Sequence, residues 1–216
     1  MTLKENIWNN TDLEKTLLNN GVVIMPTDTI YGMVGRSQNE KLVNRIYSIR
    51  KRSPEKPCII LIGDINELEK FAIHLSEKQK EDLAKYWSFG GHQDLRPFDK
   101  SQDIQPFDES QDLRPCPTSI ILDCSDDAFA YLHRGTNTLA FRIPAPRDLR
   151  DLLLKVGPLI APSANQESFP PYDTVEDARN YFGDAVDLYV DGGELKGKPS
   201  KLIKLGKNGS VTVLRE

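Results

Sequence analysis

The chain has 216 residues, of which 38% are hydrophobic and 28% charged, and its formal net charge is −4. This length and composition suit one globular domain with a full core, and the acidic balance gives no global attraction to nucleic acid. No apolar run approaches the roughly 20 residues that span a bilayer, and the polar N-terminus lacks the apolar core of a signal peptide. We therefore expect a cytoplasmic protein without a membrane segment.

Cysteine and histidine are too few and too scattered for a familiar metal or disulfide pattern. The chain has three of each, with no CxxC pair and no HExxH motif. Cysteine spacing of this kind supports neither a disulfide framework nor a zinc site. We expect no metal held by protein side chains.

Capping signals and apolar periodicity predict alternating helices and strands in the first part of the chain. Thr11 with Glu14, and Ser76 with Gln79, have the spacing of capping boxes. In chain order the predicted elements are helix 11–20, strand 22–25, helix 39–51, strand 58–62, a short helix from 64, and helix 76–87.

The second part continues this interleaving. Its predicted elements are strand 119–122, strand 138–141, helix 146–156, strand 159–161, helix 174–182, and strands 188–190, 201–205 and 211–214. Strands and helices interleave without strict alternation, which predicts an α/β domain with a mixed, twisted sheet.

A tandem repeat interrupts the pattern at about residues 88–117. Three copies of nine residues begin at Gln93, Gln102 and Gln111, as QDLRPFDKS, QDIQPFDES and QDLRPCPTS. The segment is acidic and bears prolines, so we interpret it as a solvated insertion loop within a single domain spanning 1–216. A lid or a partner-docking loop is the alternative.

Small polar side chains crowd the end of the first predicted strand, in PTDT at 26–29. Hydroxyl groups at the carboxyl end of a strand are typical of a ligand-binding floor in α/β sheets. Thr27 and Thr29 alternate along an extended chain and so share a face, whereas Asp28 points away from it. A turn in which these side chains bond local amides explains the same pattern, and spacing alone does not separate the two.

The sequence RKRSPEKP at 50–57, called the basic loop below, concentrates positive charge in an acidic chain. Between Arg45 and Lys56 there are five basic residues and one acidic residue. Cations are ordinary in the last turn of a helix. Pro54 and Pro57, however, stiffen the chain beyond the helix, so Arg50, Arg52 and Lys56 could converge on a polyphosphate.

Three further segments place polar groups at predicted strand ends. Strand 159–161 opens into Ser163 and Asn165, and strand 138–141 ends at Arg142, which calls for an anionic partner if buried. A glycine-rich turn from Asp191 leads through Ser200 into a strand, but it lacks the P-loop pattern. These features suggest a site for anions and small polar ligands without a nucleophile–base pair.

Five ordered motifs, PTDTIYGM, IYSIRKRSPEKP, TLAFRIP, APSAN and DGG…PSKLIKL, resemble those of the YrdC family, the threonylcarbamoyl-AMP synthases. The resemblance covers nearly the whole chain except about 88–117, and it is closest to the short form of the family. It implies the YrdC-like α/β fold, a twisted mixed sheet with flanking helices and a large concave site. Two differences stand out: Arg50 occupies a position where the family usually has lysine, and Gln166, Glu167 and Ser168 follow APSAN where the family usually has a glycine.

The resemblance also implies a reaction. L-threonine and bicarbonate form a carbamate that attacks the α-phosphate of ATP, and pyrophosphate leaves. Other proteins then transfer the threonylcarbamoyl group to adenosine 37 of tRNA, the modification called t6A. Magnesium would enter with ATP, held mainly by phosphate oxygens and water.

The residue roles implied by the resemblance fall into three groups. The catalytic group comprises Arg50, Arg52, Ser163 and Asn165. The threonine-binding group comprises Thr27, Thr29, Arg142 and Ala161. The ATP-binding group comprises Arg52, Lys56, Thr138, Ser163 and Ser200.

Two other hypotheses are compatible with these motifs. An RNA-binding module of the same fold, without catalysis, would use the basic concave face and would lose affinity steeply with salt. A carbamoyl-transfer domain like that of hydrogenase maturation factors is the third, although the zinc-finger and acylphosphatase segments of the complete factor are absent from the sequence.

Overall fold

The computed structural model describes residues 7–87 and 117–216, so the segment predicted to form a loop lies outside the described residues except for the last three residues of its third repeat, 117–119, at the start of the strand Thr118–Asp123. Its helices are α1 (Thr11–Leu18), α2 (Glu40–Ile49), α3 (Glu77–Tyr86), α4 (Ala130–His133), α5 (Arg147–Val156) and α6 (Val175–Phe182). Its strands are β1 (Val23–Pro26), β2 (Tyr31–Arg36), β3 (Ile59–Leu61), β4 (Thr118–Asp123), β5 (Thr138–Arg142), β6 (Leu159–Ile160), β7 (Leu188–Tyr189), β8 (Lys201–Leu205) and β9 (Val211–Arg215).

The strands described here form one mixed sheet in the order β7-β1-β2-β6-β3-β5-β4-β8-β9. The pairs β1–β7, β3–β5 and β4–β8 are parallel, and the other five pairs of neighbouring strands are antiparallel. The predicted mixed α/β fold is therefore confirmed. Since β3 is parallel to β5 and antiparallel to β6, the basic loop that precedes β3 lies beside the start of β5 and the end of β6.

Helices cover both faces of the sheet, and the alternation of β1 shows how. Val23 and Met25 belong to the core cluster that includes α1 and α5, whereas Ile24 belongs to the cluster on the opposite face that includes α2, α3 and α6. Successive side chains of a strand point to opposite faces, so a strand buried on both sides is apolar throughout. This explains why the apolar run at 22–25 predicted a buried strand correctly.

Local capping signals were partly confirmed. Ser76 and Gln79 form the predicted capping box at α3. At α1 the predicted Thr11 cap is wrong, because the Asn10 side chain accepts from the amides of Asp12 and Leu13. Asparagine and threonine both cap well, so an adjacent pair leaves the choice to tertiary packing.

Strand β2 was not predicted from the sequence, because Gly32 and Gly35 interrupt the apolar pattern that indicates a strand. A Cβ atom at Gly35 would lie 2.9 Å from side-chain atoms of both Leu42 and Ile46. Glycine at this position lets α2 approach the sheet closely. The glycine that weakens the strand pattern in the sequence thus leaves room for the α2 side chains against the sheet.

Candidate active site

A cavity of about 400 Å³ lies over one face of β5, whose alternate residues Thr138, Ala140 and Arg142 line it, beside the ends of β1 and β6. Eight of the predicted site residues line it: Thr27, Thr29, Arg52, Thr138, Arg142, Ala161, Ser163 and Ser200. Arg50, Lys56 and Asn165 are not among its lining residues. Segments far apart in sequence therefore share one concave site, as predicted, although three of the named residues lie behind or beside it.

The PTDT segment is both a turn and part of the cavity wall. Thr27 Oγ1 donates to the carbonyl oxygen of Ile30 at 2.7 Å, and it lies 3.1 Å from Thr29 Oγ1. Thr27 closes the turn, while Thr29 presents its hydroxyl group beside Arg142. The two explanations left open by the sequence therefore apply together, to different side chains.

Arg142 and Asp28 form a buried ion pair at the cavity. Arg142 Nη2 lies 2.9 Å from Asp28 Oδ1 and 3.4 Å from Thr29 Oγ1, and the side chains are 4% and 2% exposed. The expectation that Asp28 points away from the threonine face needs correction, since Asp28 and Thr29 both reach Arg142. Asp28 Oδ2 and Arg142 Nε have no hydrogen-bond partner among the described residues.

Arg50 lies beneath Ser163 and Asn165. Its Nε donates to the carbonyl oxygen of Asn165 at 3.0 Å, and its Nη2 donates to Asn165 Oδ1 at 2.9 Å and to Ser163 Oγ at 3.2 Å. Burial, and secondarily the charge of Arg52, lower the pKa of Arg50 to about 10, so the guanidinium stays charged at neutral pH. This placement lets Arg50 fix the two polar side chains that follow β6.

The basic loop turns sharply after α2, because Lys51 takes a φ of +50°. Arg52 then donates from Nε to the carbonyl oxygen of Lys56 at 3.0 Å and from Nη2 to that of Pro57 at 2.9 Å. These bonds hold the guanidinium at the cavity wall. Lys56 points to the rim and pairs with Glu167 at 2.5 Å.

Arg215 at the end of β9 also lines the cavity, and the sequence analysis missed it. Its Nε donates to the carbonyl oxygen of Ser200 at 2.8 Å, and Ser200 Oγ lies 2.8 Å from Ser119 Oγ. Burial, and secondarily the charge of Arg142, lower the pKa of Arg215. The available signal was a strand ending in arginine, the same pattern that drew attention to Arg142.

The glycine-rich segment after Asp191 closes over the PTDT turn. A Cβ atom at Gly197 would lie 1.7 Å from the carbonyl oxygen of Thr29, so any side chain there would displace one of the two segments. Tyr31 anchors the start of this segment, donating from its hydroxyl group to the carbonyl oxygen of Gly193 and accepting from the amide of Gly192.

Three guanidinium groups, on Arg52, Arg142 and Arg215, therefore face one cavity with hydroxyl groups between them. Such a set suits a ligand with several anionic groups. Within residues 7–87 and 117–216 there is no cluster of three or more His, Cys, Asp or Glu side chains that could hold a metal ion. The helices in these ranges are also too short or too polar to cross a membrane.

The Sua5/YciO/YrdC family pattern, which carries the description "telomere recombination", matches residues 15–216. The chain belongs to this family.

Similar proteins include enzymes named for one activity. A putative threonylcarbamoyl-AMP synthase of Methanocaldococcus jannaschii is 30% identical over 202 residues, covering 93% of this chain and 82% of that protein. The threonylcarbamoyl-AMP synthase of Bacillus subtilis is 28% identical over 179 residues, covering 82% of this chain and 44% of that protein.

Solved structures agree on the fold. Pyrococcus abyssi Sua5 in complex with L-threonine matches with a TM-score of 0.75 at 25% identity, covering 98% of this chain and 55% of that one. Escherichia coli YciO matches with a TM-score of 0.72 at 18% identity, covering 99% of this chain and 90% of that one. This chain thus spans about half the length of the B. subtilis and P. abyssi proteins.

Proposed function

We propose that this chain is a threonylcarbamoyl-AMP synthase, which converts L-threonine, bicarbonate and ATP to threonylcarbamoyl-AMP and pyrophosphate. The observation that carries the proposal is the shared cavity in which Arg52, Arg142 and Arg215 face hydroxyl groups from four distant segments. The names of the relatives and the threonine complex of the P. abyssi protein point to the same substrates.

The proposed chemistry needs no nucleophile from the protein. The amino group of threonine takes up bicarbonate carbon with loss of water, which gives a carbamate. A carbamate oxygen then attacks the α-phosphorus of ATP, and the bond from that phosphorus to the bridging oxygen breaks, releasing pyrophosphate. The protein contributes by aligning the two substrates and neutralising charge, which are the main sources of rate in phosphoryl-type transfers.

For threonine we propose Thr27, Thr29, Arg142 and Ala161 as the binding group. Arg142 offers its guanidinium to the carboxylate, and its bonds to Asp28 and Thr29 fix its direction before the ligand arrives. A cation held in place in this way loses little side-chain entropy on binding. Thr27 supports the turn from below through its bond to Ile30.

For ATP we propose Arg52, Lys56, Thr138, Ser163 and Ser200, to which the structure leads us to add Arg215. Arg52 is the best placed for the phosphates, since it lines the cavity while its hydrogen bonds go to carbonyl oxygens. Arg50 and Asn165 were predicted as catalytic, and that role stays a prediction. Their placement favours a positioning role, with Arg50 orienting Ser163 and Asn165.

Magnesium in this proposal is part of the MgATP substrate. The described residues offer no acidic cluster for a resident ion, so phosphate oxygens and water would supply most ligands. We further propose that the product passes to t6A-transfer proteins that act on tRNA and that the reaction takes place in the cytoplasm.

The test is pyrophosphate release from purified protein supplied with MgATP, threonine and bicarbonate. Release should require both threonine and bicarbonate. ATP hydrolysis independent of threonine, or no release at all, would count against the proposal. Binding of tRNA that weakens steeply with salt, without turnover, would favour the RNA-binding alternative.

A further inference from the structure

Glu167 connects the segment after β6 to the basic loop through three contacts. Its Oε1 lies 2.5 Å from Lys56 Nζ, its other carboxylate oxygen accepts from the backbone amide of Ser53, and its own amide donates to the carbonyl oxygen of Arg50 at 3.1 Å. One residue thus holds the loop at its start, its middle and its end.

The Lys56–Glu167 pair lies at the rim of the cavity. The Lys56 side chain is 62% exposed and that of Glu167 is 17% exposed. Lys56 is joined to the cavity wall because its carbonyl oxygen accepts from Arg52 Nε at 3.0 Å. The Glu167 carboxylate that holds the ammonium group also lies close enough to Arg52, a lining residue, for the Arg52 charge to contribute, after the hydrogen bonds from Lys56 and Ser53, to the lowered pKa of Glu167. The Lys56 ammonium group therefore lies near the guanidinium that we propose for the phosphates.

We propose that Glu167 is a positioning residue. Its carboxylate forms an ion pair with Lys56 in the nucleotide-free protein, and when ATP binds, Lys56 leaves Glu167 and pairs with the triphosphate. This inference rests on the proposed function, since it concerns how the same site takes ATP. The triphosphate carries several negative charges and Glu167 carries one, so the exchange favours the nucleotide. Solvent reaches Lys56, so its side chain can change partner without unfolding the loop.

The charge of Glu167 persists at the pH of the exchange. The hydrogen bond from Lys56, followed by that from the Ser53 amide, lowers the pKa of Glu167. Glu167 is therefore ionised at neutral pH, and it competes with phosphate for Lys56 as an anion. The exchange costs the protein one ion pair for each nucleotide bound.

Glu167→Gln separates the two roles of the side chain. The amide oxygen of glutamine can still accept from the Ser53 amide, but a neutral group holds an ammonium much less well than a carboxylate does. The variant should bind MgATP about fivefold more tightly, the factor that corresponds to one well-formed exposed ion pair.

The experiment measures the dissociation constant of MgATP by calorimetry without threonine or bicarbonate, so that no turnover occurs. It uses the full chain with no substitution, Glu167→Gln, Lys56→Ala and the double variant. Exposed Glu77, which pairs with Lys80 at 2.8 Å, supplies a matched control as Glu77→Gln, which removes the same charge elsewhere. The control should leave the constant unchanged.

The double variant distinguishes exchange from simple repulsion. If ATP takes Lys56 from Glu167, the gain from Glu167→Gln should fall from about fivefold to about twofold or less when Lys56 is alanine. An equal or larger gain in the Lys56→Ala background would overturn the exchange, because it would mean that Glu167 only repels the nucleotide.

Failure of this inference and failure of the proposed function give different results. If the unsubstituted chain binds no MgATP and also releases no pyrophosphate when threonine and bicarbonate are added, the proposed function is overturned and the exchange with it. If it releases pyrophosphate but binds no MgATP alone, the exchange alone is overturned. If that chain binds MgATP but Glu167→Gln binds equally or more weakly, the exchange alone is overturned. Should Glu167→Gln not fold, Glu167→Asp, which shortens the reach to Lys56, should bind about twofold more tightly, and no gain there would be equally decisive.

Discussion

Two lysine or arginine side chains of the site are paired with a carboxylate of the same chain, and the two pairs differ in burial. Arg142 and Asp28 are 4% and 2% exposed, whereas Lys56 and Glu167 are 62% and 17% exposed. A buried pair is expensive to break because the remaining charge cannot be solvated, but an exposed pair exchanges with little cost. We infer that the first pair is a fixed part of the cavity and the second an exchangeable part of its rim.

The largest expected effect follows from breaking the buried pair. Asp28→Ala leaves the Arg142 charge buried without its carboxylate, and we expect a loss of about 3–5 kcal/mol in the free energy of unfolding. Urea unfolding measures it. The control is Asp123→Ala, which breaks a half-exposed pair with Lys204 at 3.6 Å and should cost about 1 kcal/mol or less. Equal losses would remove the distinction between the two kinds of pair.

Arg52 differs from Arg142 and Lys56, which are paired with carboxylates. Its hydrogen bonds among the described residues go to two carbonyl oxygens, so its positive charge can act on a ligand. Arg52→Ala should lower kcat/KM for threonine-dependent pyrophosphate release by at least about 30-fold, equivalent to about 2 kcal/mol of transition-state stabilisation. Arg147→Ala, on the exposed start of α5, is the control. A rate within threefold of the unsubstituted chain contradicts the proposed role.

Gly197→Ala tests whether the proposed threonine side of the cavity depends on close packing between the glycine-rich segment and the PTDT turn. The added Cβ would lie 1.7 Å from the carbonyl oxygen of Thr29, so the segment must move away from the threonine side. We expect a rise in KM for threonine of about 10-fold, in line with about 1–3 kcal/mol for overpacking, and a much smaller rise in KM for ATP. Equal changes in both constants would argue against a local effect, and Lys198→Ala is the neighbouring control.

A third ion pair, Arg45–Asp187, tests how the contribution of an ion pair to stability depends on its burial. The Arg45 side chain is 40% exposed and that of Asp187 is 38% exposed. The hydrogen bond from Arg45 is the main cause that lowers the pKa of Asp187, with a further contribution from the amide of Val22. The stabilisation by ionised Asp187 should therefore be complete above pH 3.8, the ordinary pKa of its carboxyl group in the unfolded chain. It should be lost as the pH falls through the lower pKa that this group has in the folded protein.

Asp187→Asn should accordingly reduce the free energy of unfolding by about 1 kcal/mol or less near neutral pH, since solvent screens a half-exposed pair. The difference from the unsubstituted chain should shrink below about pH 4. Denaturant unfolding between pH 3 and 7 measures it. A difference that stays constant down to the lowest pH would mean that the charge of Asp187 is not what stabilises the fold.

Local patterns predicted those elements whose signals are carried by neighbouring residues. The capping box at Ser76 and the strand at Lys201–Leu205 fall in this group. Strand β2 was missed because Gly35 serves a contact with Leu42 and Ile46 that no local window contains. The same limit applies to the cap of α1, where two good capping residues stand side by side.

For the site, the sequence predicted the kinds of side chain and most of those that line one cavity, but not which of them lie outside its lining. Eight predicted residues line the cavity, whereas Arg50 lies beneath Ser163 and Lys56 lies at the rim. Sequence spacing cannot separate a guanidinium that faces a cavity from one that supports its wall, since both follow the same short motif.

The sequence by itself determined the α/β class, the apolar strands and the polar groups at their ends, because these depend on periodicity and on chemistry within a few residues. The tertiary structure alone decided that Asp28 pairs with Arg142 and Glu167 with Lys56, and that Arg215 joins the cavity. In the two pairs, Lys56 and Glu167 are separated by 111 positions in the sequence, and Asp28 and Arg142 by 114. Such contacts depend on strand order and on burial, which no local sequence pattern specifies.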